Sequence, residues 1–439
     1  VAQHSEPAED TAYDVVICGA GVGGLTLAAV LGRQGRRVLL VEKQRRFRMM
    51  HKGELIQPSS LAILDELGLL PHLYAAGALK VNALACRTAD GADLVTLDYG
   101  LITGAYRHGL VQSYKDMLDT LADRLGPTVT FWRGTRVEDL IRDDTGRITG
   151  VSLNREGTPC RVAAALTVAC DGHASRLRDA AGIQVAMHRY DHQLVGFEIE
   201  KAPPLGPDMN AHLTRHGLRA LFELPSDRAR LYVQIPVGSF REVGRAGVAG
   251  WTEGILRTMP AFDAIAEPLK DCLDTVQVLS AWRFVAPCWS RPGFALLGDA
   301  AHCVHPMVGQ GMNSAIGDAW SLGSELAEEP AGGHPLGPAE VDDALRRYEA
   351  VRRPRLEFVS RLSHNLATLL TTTSRTGRLL RPSLLRRNQS NVRLRRHITQ
   401  NVAGLTAQPF RARDWISASG LLPRPSGRPL PARAEEIHP

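Results

Sequence analysis

The most constraining feature of this 439-residue chain lies near its start. Tyr13 to Cys18 (YDVVIC) is a short apolar run, and Gly19-Ala20-Gly21-Val22-Gly23-Gly24 follows it in a G-x-G-x-x-G pattern. A helical pattern continues through about Gln34, and Arg37 to Glu42 (RVLLVE) reads as a second strand, buried on both faces. Parallel neighbours of this kind need a helical crossover that covers the sheet, so an α/β domain is expected. In such a unit Gly19 permits the tight turn, Gly21 lets the backbone approach a pyrophosphate, and Gly24 lets helix and strand pack closely. Val22 and Gly23 open the helix, whose unpaired N–H groups and positive dipole end favour phosphate. Glu42, followed by Lys43, stands where a carboxylate accepts hydrogen bonds from a ribose 2′-hydroxyl. An acid at that point favours an adenosine ribose without a 2′-phosphate, as in FAD or NAD.

Two later apolar strands also end in acids: Ala165 to Cys170 before Asp171, and Phe294 to Leu297 before Gly298 and Asp299. Helical periodicity marks Ser59 to Leu70, Tyr114 to Leu125, Gly311 to Leu326 and Val341 to Ser363. Between 186 and 283, β-type runs separated by Pro, Gly and Asp turns predict an antiparallel sheet inserted into the α/β domain. Residues 79–101 are expected to add strands to it. The expected organisation is a discontinuous Rossmann-like domain (13–78, 102–185 and 284–360), a β-sheet substrate domain (79–101 and 186–283), and a basic helical extension (361–439) with a loose Pro/Arg-rich tail beyond Ala407. Val1 to Ala12 lacks the basic and apolar regions of a secretory signal and reads as a disordered leader.

Three motifs in order resemble those of the group A flavoprotein monooxygenases, the family of 4-hydroxybenzoate hydroxylase and squalene epoxidase. They are the Gly19 to Gly24 fingerprint, Asp171-Gly172-His173-Ala174-Ser175-Arg176-Leu177-Arg178 (D-G-x-x-S-x-x-R), and Gly298 to Asn313 (GDAAHCVHPMVGQGMN). The resemblance implies FAD as cofactor. It puts Asp299 on the ribityl chain, the Gly309-Gln310-Gly311-Met312-Asn313 loop at the N1–C2=O edge of the flavin, and Pro306 beside the ring, shaping an oxygen pocket. Asp171 and Gly172 would meet the flavin pyrophosphate and the nicotinamide donor. Ser175 and Arg178 have a simpler reading as a helix start with a surface arginine. Where many relatives carry an arginine the chain reads Arg48-Met49-Met50-His51-Lys52-Gly53, so His51 or Lys52 is a candidate for its phosphate-facing role. A second basic family position reads Gln112-Ser113-Tyr114-Lys115, with Gln112 or Lys115 as candidates.

No second strand–G-x-G-x-x-G–helix unit holds a nicotinamide; Gly244 to Gly250 has the wrong spacing and lies in the insert. The family's solution is transient NAD(P)H docking on the flavin, addition of O₂ at C4a, and oxygen delivery by the hydroperoxide, with the protein positioning substrate and excluding water. No acid/base residue is singled out. Gly53-Glu54-Leu55-Ile56-Gln57-Pro58 resembles a squalene epoxidase segment. It tilts the expectation toward a lipophilic, prenylated or polycyclic substrate, with aromatic hydroxylation the alternative. Leu194, Val195, Phe197, Leu221, Phe222, Leu231, Val233 and Ile235 are candidate pocket residues, although strand alternation turns half of them into the core. Tyr190, His192, Tyr232 and Trp282 are candidates for holding a phenolic ring. The missing W-x-W-x-I-P lowers a halogenase, whereas a prenyl-chain reductase or a flavin-carrying protein without catalysis stays open.

Charge and cysteines trim the remaining options. Phe358 to Ala434 holds 14 arginines against one acid, a local +13, so the rest of the chain carries about −7 of the net +6. Leu379 to Leu394 mixes leucines with those arginines; packing of the leucines on the flavin domain is preferred over contact with an anionic membrane. Few aromatics accompany the arginines, so nucleic acid is not an expected partner. Seven scattered cysteines without C-x-x-C argue for idle thiols in a reducing cytoplasm. His302 and His305 lack a third nearby ligand, so no metal is expected.

Overall fold

The structure, a computed structural model, describes residues 13–327 and 336–411. The expected leader and the tail beyond residue 411 lie outside the described residues.

The strand Tyr13–Cys18 is buried throughout, because Val38–Glu42 and Thr158–Ala169 pair with it in parallel on either side. Val129–Arg133 and Phe294–Leu296 extend that parallel core outward. The helix Val22–Arg33 covers one face and packs on Gly311–Ala327. Pairing of Val15 with Leu166, and of Ile17 with Leu40 and Val168, brings the strand ends that carry residues 19, 42 and 171 to one edge.

The second sheet has eight strands, in the order 302–303, 277–285, 188–199, 228–236, 217–224, 208–214, 83–88 and 93–98. Its pairing is antiparallel except where Asp208–Thr214 runs parallel to Ala83–Thr88. Residues 83–88 and 93–98 therefore join this sheet, while Leu79–Val81 joins a small third sheet with Gly109–Val111 and Leu55–Ile56. The insert also contains a helical segment, Ser239–Arg257, kinked at Gly244 (φ +59°, ψ 170°) and including the Gly244 to Gly250 run; its apolar face covers the outer side of the sheet. The edge strand His302–Cys303 pairs with Phe284 and Val285, so the third motif is tied to the insert by backbone bonds.

The helix expected over Ser59 to Leu70 splits into Pro58–Glu66 and Leu70–Ala75, because Gly68 adopts φ +68° between them. The one expected from Val341 runs much longer, Pro338–Thr371, through Pro354 and across residue 360. Two helices follow it, Arg375–Ser390 and Val392–Val402. This arm packs on the strand Asp93–Asp98 of the insert. The expectation that its leucines rest on the flavin domain is corrected: Leu385 joins Leu94, Val95, Leu213 and Leu218 in one core.

Candidate active site

A cavity of about 1010 Å³ runs from the fingerprint turn, between the two large sheets, to the arm. At the turn, steric demands separate the glycines. Gly19 sits at φ +114°, and a methyl group there would meet the Cys170 carbonyl oxygen at 2.4 Å. One on Gly24 would meet the Gly19 oxygen at 2.0 Å, and one on Gly23 the Leu297 side chain at 2.5 Å. All four border the cavity, but only Gly21 has room beside it, its nearest neighbour the Tyr114 hydroxyl at 3.6 Å. Three glycines thus serve the chain's own packing, and the fourth leaves space for a ligand. Glu42 accepts from the Ala20 amide (3.0 Å) and the Gln44 amide (2.9 Å), which fixes its carboxylate at the cavity wall beside Lys43.

The second motif closes on the same edge. Asp171 Oδ2 accepts from the Leu177 amide at 3.3 Å, while Oδ1 is buried with no partner in the protein. Burial pushes this carboxyl above the usual carboxylate range. Ser175 caps the next helix by accepting from the Arg178 amide at 3.0 Å. Arg178 is buried rather than on the surface, which corrects the simpler reading. It donates to the Ala300 carbonyl (3.0 Å) and the His173 carbonyl (3.1 Å), locking the second motif to the third.

In the third motif, Gly298, Asp299, Pro306, Gly309, Gly311 and Met312 line the cavity. Asn313 does not. It is buried, donates to the Leu55 (2.8 Å) and Gly309 (2.6 Å) carbonyls and accepts from the Gln57 amide (2.8 Å). It thereby shapes the loop from behind. Gln310 donates to the Val402 carbonyl, so the arm also holds this loop. His302 bonds Asp318 at 2.6 Å, and Arg352 bonds the other oxygen of Asp318 at 2.8 Å. Burial alone would raise the Asp318 carboxyl; His302 and Arg352 outweigh it and hold the group low. His305 Nδ1 accepts from the Met307 amide, so its Nε2 donates to His192 at 2.8 Å. Among the described residues no group of His, Cys, Asp and Glu is arranged to hold a metal.

Lys52 lines the cavity 5.7 Å from the Tyr114 ring. His51 lines it as well, but burial and then Arg230 lower its pKa to about 4, and its Nδ1 donates to the Gly196 carbonyl. A neutral imidazole brings no charge to a phosphate. Gln112 is turned away, bonded to the Ala76 carbonyl and the Ser113 amide, and Lys115 pairs with Asp119 at 2.6 Å. Glu54 borders the cavity and is held in a buried network with Arg230 (2.7 Å) and Tyr232 (2.8 Å), and Arg230 also binds Glu198 at 2.7 Å. Gly53 to Pro58 is therefore the seam between the parallel sheet and the insert.

Of the eight apolar candidates in the insert, Leu194 and Phe222 reach the cavity. The other six belong to the core under the helix Ser239–Arg257, as alternation demands. Tyr232 and Trp282 line the cavity, whereas Tyr190 and His192 face a different one. Sequence reasoning missed the arm's contribution: Leu385, Asn388, Ile398 and Val402 form a wall of the cavity. The available signal was their helical spacing, three and four residues apart.

The model of the family described as "FAD binding domain" matches residues 12–363. The chain belongs to the class A FAD-dependent monooxygenase family. This monooxygenase is 29% identical to 6-methylpretetramide 4-monooxygenase of Streptomyces rimosus over 86% of this chain and 90% of that protein. It is 27% identical to squalene epoxidase 6 of Arabidopsis thaliana over 83% of this chain and 71% of that protein. Among solved structures, the OxyS anhydrotetracycline hydroxylase of Streptomyces rimosus superposes with a TM-score of 0.70 at 25% identity, over 92% of this chain and 78% of that one. The monooxygenase binds FAD, and the empty side of Gly21 and the unpartnered Asp171 oxygen fit a nucleotide at the fingerprint end.

Proposed function

We propose that this monooxygenase uses NAD(P)H and O₂ to epoxidise or hydroxylate an uncharged lipophilic molecule of polycyclic or prenylated type. One observation carries the reading. The insert and the arm contribute no charged side chain to the cavity. Their share is aliphatic and aromatic, relieved by Asn210, Ser280, Asn388 and Cys86, whose thiol burial pushes up to about 12. An ionic substrate would be desolvated there without a partner, at a cost of several kcal/mol. A relative named for 6-methylpretetramide and a neighbour named for anhydrotetracycline support the polycyclic choice. Tyr232 and Trp282 in the cavity support the second reading, aromatic hydroxylation.

FAD, when bound, supplies electron transfer and oxygen activation. The chain's own residues divide the work of holding it. Gly21 and the helix opened by Val22 and Gly23 receive the pyrophosphate, with Lys52 as the nearby cation. Glu42, beside Lys43, takes the adenosine ribose. Asp171 offers its unpartnered oxygen to a hydroxyl, Gly172 leaves space for the nicotinamide donor, and Asp299 takes the ribityl chain. The peptide groups from Gly309 to Met312 would hold the flavin ring, and Asn313 fixes their path from behind. Pro306 would border the ring, and the apolar walls would keep water from it. Seven free cysteines fit a reducing cytoplasm, and no described helix is long and apolar enough to cross a membrane.

The test is NAD(P)H oxidation by the FAD-loaded protein, with and without O₂, across prenylated, polycyclic and phenolic compounds. The expected result is substrate-stimulated turnover that requires O₂ and yields a product 16 mass units heavier, as one added oxygen atom demands. Reduced product formed without O₂ would overturn the reading in favour of a reductase.

A further inference from the structure

A second cavity, of about 1410 Å³, lies on the other face of the inserted sheet. The insert helix supplies Phe240 and Trp251 to it, the turn after Asp208–Thr214 supplies Arg215 and His216, and the loop ahead of the arm supplies Thr372 to Ser374. Arg219 also lines it and is only 5% exposed. Buried arginines are ordinarily paired with a carboxylate. Arg219 donates to the Thr214 hydroxyl at 3.0 Å, its Nε has no partner, and no described carboxylate stands within ion-pair distance. Two acids line the cavity, Asp191 and Glu242; Asp191 is engaged with His192 at 3.0 Å, and neither pairs with Arg219. The local field is positive. Besides burial, Arg215, Arg219 and Arg378 all hold the His216 pKa below its ordinary value. Phe240 and Trp251, which meet edge to face at 5.5 Å, give the same cavity an aromatic wall.

We propose that this cavity binds an organic oxyanion, its carboxylate or phosphate group held by Arg219 and Arg215 and its aromatic body lying on Phe240 and Trp251. The site is separate from the oxygenation cavity and stands independently of the proposed substrate.

The experiment titrates the FAD-loaded enzyme with phenyl phosphate, benzoate and inorganic phosphate by calorimetry, alongside thermal unfolding. Saturable binding of phenyl phosphate or benzoate is expected, weakened about tenfold or more in R219M, a loss of about 1.4 kcal/mol. Without ligand, R219M should unfold at the same or a higher temperature than the parent, since it removes an uncompensated buried cation. An arginine with a purely structural role would give the reverse, a lower Tm with unchanged affinity, and that result overturns the proposal. So does the absence of saturable binding of both aromatic anions up to about 20 mM. Inorganic phosphate binding as tightly as phenyl phosphate would overturn the role of Phe240 and Trp251. Should R219M fail to fold, R215A serves: its affinity must fall about threefold or more, and unchanged affinity rejects the site.

Discussion

The two ends of the main cavity are built by opposite means. The fingerprint end is made of backbone: Gly19, Gly23 and Gly24 have no room for a methyl group, and contacts of 2.0 to 2.5 Å would follow from adding one. The opposite end, the one proposed to take the substrate, is made of side chains from distant segments, Leu84 and Phe222 from the insert, Leu370 from the long helix, and Leu385 and Ile398 from the arm. A backbone site tolerates almost no change, because peptide groups cannot repack. A side-chain site is altered by degrees, one methylene at a time. The fingerprint end is therefore rigid and the end walled by the insert and the arm adaptable.

The largest expected effect breaks the rigid end. Gly24→Ala drives a methyl into the Gly19 carbonyl, a cost above about 4 kcal/mol. The variant should purify colourless, and flavin absorbance per protein checks this; full flavin content would mean that the turn is looser than its geometry. Next comes the seam between the ends. Arg230→Met leaves Glu54 and Glu198 buried without their shared cation, and should lower stability by about 3–5 kcal/mol in urea unfolding. A loss below about 1 kcal/mol would show that the pairs contribute little.

Phe222→Ala and Leu385→Ala probe the adaptable end. Each should raise KM by about tenfold for the best lipophilic substrate, corresponding to 1–3 kcal/mol of lost apolar contact, with flavin content unchanged. If instead flavin is lost, the two ends are not separable. A smaller effect concerns pH. Burial lowers His51 to about 4, and burial with His192 and His364 lowers His305 to about 3. Both are neutral when folded but take a proton near 6.5 when unfolded, so their contribution is complete above that pH and declines as pH falls toward 4. Each adds at most about 1.4 kcal/mol per pH unit to the slope. Unfolding at pH 7 and pH 5 in the parent and in His305→Asn reads it; identical slopes would reject the assignment to His305. Least affected should be Leu379→Ser with Leu380→Ser, both exposed, with stability within about 0.5 kcal/mol. Sedimentation with anionic vesicles reads any other use of these leucines: binding lost in the double variant would make them a membrane contact.

The fingerprint strand, Tyr13–Cys18, is legible to the residue because a fully buried parallel strand is a continuous apolar run closed by glycine. Helix ends were harder. The split at Gly68 and the passage through Pro354 depend on packing partners outside the local pattern. Arg178 and Asn313 show the same division within the motifs. Their residue types were evident, but burial turned one into a clamp between loops and the other into a brace behind one.

By itself the sequence determined apolar strands at 13–18, 37–42, 165–170 and 294–297 with motif residues at or just after their ends, since period, glycine spacing and terminal acids are all local properties; their parallel pairing brings those residues to one sheet edge. Only the tertiary structure decided what the substrate meets. Alternation states that half of a strand's residues face each way but not which side holds the cavity, and helical spacing shows that Leu385 and Asn388 share a face without saying what it covers. Packing of the arm on the strand Asp93–Asp98 settles both, a choice made by surfaces far apart in the chain.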